Sequence, residues 1–166
     1  MKIKSTLILL VAMVVTVTFT SCEKEHEENP YIQLTNELQT KYKSFVIGDW
    51  LYEEESDKKK ETISLSLRED GSMHYHDVYN KRDEVMIDGV PTLTDWKTVF
   101  DEEGTGRWSL CYNEYGPCLI LTVVYSNSAA NGLILRFESA NETEMTCQGI
   151  TVSNIVTYKR IIENPE

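Results

Sequence analysis

From Val46 onward the chain alternates apolar and polar side chains with a period of two, in short runs punctuated by Gly, Asn, Asp and Ser clusters. A period of two puts successive side chains on opposite faces of an extended strand, so each run has one face to bury and one to leave in water. Short strands at regular spacing with turn residues between them are the pattern of an all-β barrel or sandwich. The first run covers residues 46–54. The second, 62–68, sets Ile63, Leu65 and Leu67 against Thr62, Ser64, Ser66 and Arg68. Asp70-Gly71 then supplies a tight turn, and Met73, Tyr75 and Tyr79 continue on a third strand, making a hairpin of strands two and three.

Further strands are expected at 107–112, 119–125, 133–138, 144–148 and 154–160, with turns at 113–116, 126–132, 140–141 and 149–153. Residues 80–103 are harder to read, because Asp88-Gly89 and Pro91 interrupt Val85, Met86, Ile87, Leu93, Trp96, Val99 and Phe100. They are expected to form either a further hairpin or a lid. The fold class is therefore all-β: an antiparallel up-and-down meander of about eight strands, which hides its edges best by closing into a barrel. A short helix precedes it, since Tyr31, Leu34, Leu38 and Tyr42 fall at spacings of three or four and could cap one end.

The N-terminus has a different character. Lys2 and Lys4 are followed by an apolar, uncharged run over residues 7–19, broken only by Thr16 and Thr18. That run is shorter than the ~20 residues that span a bilayer as a helix, and small Thr20 and Ser21 stand directly before Cys22. A cleaved secretory signal peptide at 1–21 is expected. Phe19-Thr20-Ser21-Cys22 resembles the lipobox of bacterial lipoproteins, in which the cysteine is lipidated and becomes the mature N-terminus. The resemblance implies lipidation at Cys22 by several acyl chains, and two or more chains hold a protein stably on a membrane.

Glu23, Lys24, Glu25, His26, Glu27 and Glu28 then form an acidic, solvated tether. It is either a plain spacer or, by resemblance to acidic sorting tags of some Gram-negative lipoproteins, a signal for the outer face of the outer membrane. Expected domains are thus the signal peptide at 1–21, lipidated tether and short helix at 22–44, a barrel at 45–162 and a tail at 163–166. Removing residues 1–21 takes away two lysines and no acid, moving the formal net charge from −11 to −13. Nucleic acid and anionic headgroups are poor partners for such a chain.

Gly48-Asp49-Trp50 opens the first strand directly after the helical segment and resembles the Gly-x-Trp motif of lipocalins and bacterial lipocalin-like domains. In that family the glycine relieves crowding where the chain joins the barrel, the tryptophan plugs one end, and a basic side chain near the last strand lies across the indole. Arg160, in preference to Lys159, is expected to fill that place. A second Gly-x-Trp, Gly106-Arg107-Trp108, starts the second half. The resemblance covers roughly residues 45–162 and implies a lipocalin-like barrel with Gly48, Trp50, Trp108 and Arg160 as structural residues.

Three cysteines remain beyond Cys22. Parity with Trp108, Leu110 and Tyr112 turns Cys111 outward, and parity with Leu119, Leu121 and Val123 turns Cys118 outward as well. A turn at 113–116 sets the two directly opposite, within reach of a disulfide, which oxidising surroundings outside the cytoplasm would preserve. Cys147, in phase with Met145, is expected inside as a free thiol. His74 and His76 share one strand face and are expected to point to solvent, with no metal held.

No Gly-x-Ser-x-Gly, His-Glu-x-x-His or phosphate-cradling glycine loop is present, and the acidic runs at 53–55 and 101–103 are expected at strand ends, where they promote solubility. A non-enzymatic, cofactor-free protein is expected, most readily one that binds a small apolar or amphipathic ligand in its barrel. Candidate lining residues are Tyr52, Leu65, Tyr75, Leu110, Leu121, Leu135 and Phe137, which serve equally well as plain core in an eight-stranded barrel. The competing expectation is a protein-interaction or inhibitor module using rim loops, where Tyr115, Val90, Leu93 and Trp96 place apolar side chains.

Overall fold

The computed structural model describes residues 29–126, 129–149 and 154–162. Helix α1, Pro30–Val46, starts just after Asn29, an order that suits a helix N-terminus because asparagine caps well and proline's missing N–H is not needed in the first turn. Ten strands follow: β1 (Gly48–Glu55), β2 (Lys59–Leu67), β3 (Ser72–Lys81), β4 (Glu84–Ile87), β5 (Val90–Leu93), β6 (Lys97–Asn113), β7 (Gly116–Tyr125), β8 (Ala130–Ala140), β9 (Glu144–Gly149) and β10 (Ile155–Arg160). Eight of them close into one antiparallel barrel in the order β1, β2, β3, β6, β7, β8, β9, β10 and back to β1. The expected meander, closure and preceding helix are all present. The shortest seam is the closing one, where Trp50 faces Arg160 and Leu51 faces Lys159.

Alternation explains the core. Leu65 and Leu67 of β2, Met73 and Tyr75 of β3, Trp108 and Leu110 of β6, and Leu119, Leu121 and Val123 of β7 are all buried at every second position. Gly71, at φ +79°, closes the β2–β3 turn as Asp70-Gly71 predicts, and Asp70 Oδ1 accepts the Ser72 backbone N–H at 2.8 Å. On β8 a bulge between Phe137 and Ser139 shifts the phase, so that Ala140 takes the next buried place.

Several expectations are corrected. Val46 is the last helical residue rather than the first of a strand, and it is wholly buried. Residues 84–93 form a separate two-stranded sheet, β4 against β5, turning at Asp88-Gly89. Of the two alternatives for that region, the hairpin is the one found. Strand β6 is seventeen residues long and begins ten positions before the expected start, at Lys97. Consequently Asp101, Glu102 and Glu103 lie within a strand, opposite Val78, Asp77 and His76. The acidic run concealed the strand because its side chains are exposed on both faces near the barrel's edge. Strand β8 likewise starts at Ala130, inside the expected turn at 126–132.

The two ends of the barrel differ. Helix α1 lies across the end that carries the β2–β3 and β6–β7 turns: Gln39 Nε2 donates to the Leu110 carbonyl at 2.8 Å, Thr35 Oγ1 accepts the Tyr112 N–H at 2.9 Å, and the Tyr42 ring meets Phe137 edge-on at 5.1 Å. Only the second half of the helix is committed to the core, through Leu38 and Tyr42, while Leu34 is exposed. The opposite end, where β1 turns to β2 and the β4–β5 hairpin joins β3 to β6, has no helix over it among the described residues.

Candidate ligand site at the uncovered end of the barrel

The covered end is built around the first Gly-x-Trp. Trp50 is fully buried, its indole N–H donates to the Val46 carbonyl at 2.8 Å, and the Arg160 guanidinium stacks over its ring at 4.3 Å. Arg160 Nη1 also donates to the Ile47 carbonyl at 2.9 Å, and Nη2 to the Phe45 carbonyl, so one side chain satisfies the end of the helix and closes the seam. Gly48 has φ +149°, and a Cβ there would stand 2.1 Å from Arg160 Nη1. Both facts reserve the position for glycine. Trp108, in the second Gly-x-Trp, is also buried and donates to the Arg68 carbonyl at 2.8 Å. A cavity of about 180 Å³ lies beside it, between the helix residues Gln39 and Lys43 and the turn at Asp70 and Gly71. Asp49 points outward, where Arg68 holds it at 2.9 Å and Ser66 donates at 2.6 Å. The Arg68 hydrogen bond keeps its carboxyl below the usual range.

The candidate lining residues separate into two groups. Leu65, Leu110, Leu121 and Phe137 are members of the close-packed core with at most 2 % exposure. Tyr75, 6 % exposed, belongs to the same core, and Tyr52 and Leu135 are partly buried against it. Sequence alternation thus put all seven on the inner face, and Tyr75, opposite Leu65, joins the core to the polar residues nearer the uncovered end.

There the interior is polar and aromatic. Tyr52 and Tyr158 lie with ring centroids 6.0 Å apart, Tyr75 and Tyr125 at 6.2 Å, and Tyr79 stacks with Phe100 at 5.3 Å. Among these rings stands Asp77, 9 % exposed. Its Oδ2 accepts the Tyr75 hydroxyl at 2.9 Å, while its buried Oδ1 has no hydrogen-bond partner among the described residues. Burial raises its pKa, Tyr75 opposes the rise, and Glu61 and Glu102 add to it. Burial likewise pushes the Tyr75 and Tyr158 hydroxyls upward, and the Cys147 thiol up to about 12. Nearer the rim the Lys59 ammonium bridges Glu54 at 2.7 Å and Glu61 at 2.8 Å.

Asp77 was the residue missed in the sequence. It falls in phase with Met73, Tyr75 and Tyr79, which was enough to place it inside, but a carboxylate in a strand is read as exposed by default.

The cysteine register is the expected one: Cys111 opposes Cys118, Tyr112 opposes Pro117, and Asn113 opposes Gly116. Both thiols are free in this structure. Cys118, expected on an open outer face, is fully buried. Cys111 and Arg136 flank it on the neighbouring strands, and its thiol lies 3.4 Å from Asn113 Oδ1. Cys147 is buried and free, as expected. His74 and His76 lie on the outer wall, paired with Glu103 at 2.8 Å and Asp101 at 2.7 Å and about two-fifths exposed.

Tyr115, Val90, Leu93 and Trp96 do not form one patch. Tyr115 sits in the β6–β7 turn at the covered end, while Val90 and Leu93 are strand residues of the hairpin at the other. Trp96 is covered on one face by Arg82 at 4.4 Å. Cys22 and the signal and tether residues lie outside the described residues, as does the tail at 163–166.

Comparison of the chain with protein-family models, with curated proteins and with solved structures gives no match in any of the three.

Proposed function

We propose that this chain is a lipoprotein of a Gram-negative envelope, freed of residues 1–21, lipidated at Cys22 and held on the outer membrane at the cell surface, and that its barrel binds a small amphipathic molecule without transforming it. The anchoring half of the reading is supported by the short uncharged run, the lipobox-like Phe19-Thr20-Ser21-Cys22 and the acidic residues that follow. The binding half rests on one observation. The barrel is capped by Trp50, Arg160 and α1 at one end, and toward the other it holds tyrosines and a buried, incompletely satisfied carboxyl bonded to one of them. Packed cores avoid such groups unless something else uses them.

Two experiments address the halves separately. Cells fed an alkyne-bearing palmitate analogue should label the wild-type chain and not a Cys22→Ser variant, and protease added to intact cells should digest the barrel. The apolar dye N-phenyl-1-naphthylamine should brighten with wild-type protein and dim with a Tyr52→Trp, Tyr125→Trp variant that fills the mouth. An unlabelled wild type removes the anchor, and a dye signal indifferent to the mouth variant removes the binding site.

A second reading, a protein-interaction module, is favoured by the β4–β5 hairpin, where Met86 is 66 % and Val90 60 % exposed. Removal of residues 84–93 should then abolish co-purification of a partner while leaving dye binding intact.

A further inference from the structure

Resting on the reading of the uncovered end as a ligand site, we propose that the ligand is an organic ammonium ion, an amine with an apolar body whose cationic head is taken by Asp77. The inner face there carries three carboxyl side chains in a row. Asp77 faces Ile63 on β2 and Glu102 on β6, and Glu61 stands one inward position nearer the rim on β2, opposite Tyr79. Among the described residues only Tyr75 donates to Asp77, and Glu61 and Glu102 make the anion less comfortable. A buried carboxylate with a free oxygen and like-charged neighbours gains most from an incoming cation that donates a hydrogen bond.

The rings decide which cation. Tyr75, which donates to the carboxyl, packs against Tyr125 at 6.2 Å, and Tyr52 packs against Tyr158 at 6.0 Å, an aromatic setting that favours a weakly hydrated organic cation. Among the described residues no group of three His, Cys, Asp or Glu side chains is placed to hold a metal ion.

The chain contains its own example of the same recognition. Lys59 lays its ammonium between Glu54 and Glu61, 5.7 Å from the Tyr79 ring centroid, at the level just above Asp77. That ion pair spans the way in, so a ligand amine would exchange with Lys59 at Glu61 before reaching Asp77. The anionic mouth also repels carboxylates, so fatty acids would be poor ligands despite the apolar interior.

Calorimetric titration of the full-length protein with phenethylammonium, 2-phenylethanol and phenylacetate, molecules of nearly one size, tests this directly. The ammonium should bind at least about tenfold more tightly than the alcohol, with phenylacetate weakest. An Asp77→Asn variant should lose that preference while keeping its affinity for the alcohol. Glu61→Gln, which keeps the side chain's size and an acceptor for Lys59, should weaken the ammonium alone. Equal binding of all three molecules, unchanged by Asp77→Asn, overturns the ammonium ligand and leaves the binding site standing. No binding of any of them, together with a dye signal indifferent to the mouth, removes both.

Discussion

The two ends of this barrel spend the same kinds of side chain in opposite ways. At the covered end a tryptophan, an arginine and an aspartate are each held by named partners: Trp50 donates to Val46, Arg160 stacks and caps with both terminal nitrogens while its buried Nε has no partner among the described residues, and Asp49 is gripped by Arg68 and Ser66. At the uncovered end the rings are tyrosines with polar tips, and Asp77 is buried with one oxygen unsatisfied. The first arrangement stores stability; the second gives some up, which is how sites for ligands usually differ from the scaffold that holds them.

Breaking the covered end should be the costlier change. Trp50→Ala removes a fully buried indole and leaves Arg160 stacked on nothing, and should lower stability by about 3–5 kcal/mol, read as a shift of the urea midpoint. Tyr52→Ala, two residues along the same strand and only half-buried, should cost well under half as much; equal losses would show that the ends do not differ in this way. Gly48→Ala should cost about 2 kcal/mol, from a left-handed backbone and the displaced Arg160 guanidinium.

The aspartates sharpen the contrast through pH. Asp77 has a raised pKa, so the folded state keeps its proton to a higher pH than the unfolded chain does. Stability is then greatest below the ordinary carboxyl value of 3.8 and is lost as pH climbs through the raised one. Asp77→Asn, which keeps an acceptor for Tyr75 without the charge, should therefore stabilise at pH 7 by about 1 kcal/mol and make little difference at pH 3. Asp49 behaves oppositely: its lowered pKa gives stability that is present above 3.8 and lost as pH falls. Because that pair is solvent-exposed, Asp49→Asn should destabilise at pH 7 by less than about 1 kcal/mol and be neutral at pH 3. Thermal melts of both variants at the two pH values give the signs, and matching signs would erase the distinction between the ends.

Legibility in the sequence follows the same division. Wherever one strand face is wet and the other dry, alternation gave the strand and its phase, as in Ile63, Leu65 and Leu67 or Trp108 and Leu110. Two-residue turns then fixed register, which is why Cys111 was found opposite Cys118 from a turn alone. The first half of β6 was not readable, because near the barrel's edge both faces of Asp101, Glu102 and Glu103 reach water and the period-two signal vanishes. Burial of Cys118 was also hidden, since it arises from Arg136 and Asn113 closing over an outward-facing thiol.

By itself the sequence determined the class of fold, and the glycine and tryptophan where the barrel begins. These are local matters of composition, spacing and periodicity. Only the tertiary structure decided that helix α1 covers one end while, among the described residues, no helix covers the other, that distant tyrosines pair there, and that Asp77 sits beside Tyr75 with an oxygen to spare. Those facts depend on which strands close on which, and a carboxylate carries no mark in the sequence of the neighbours that will deprive it of water.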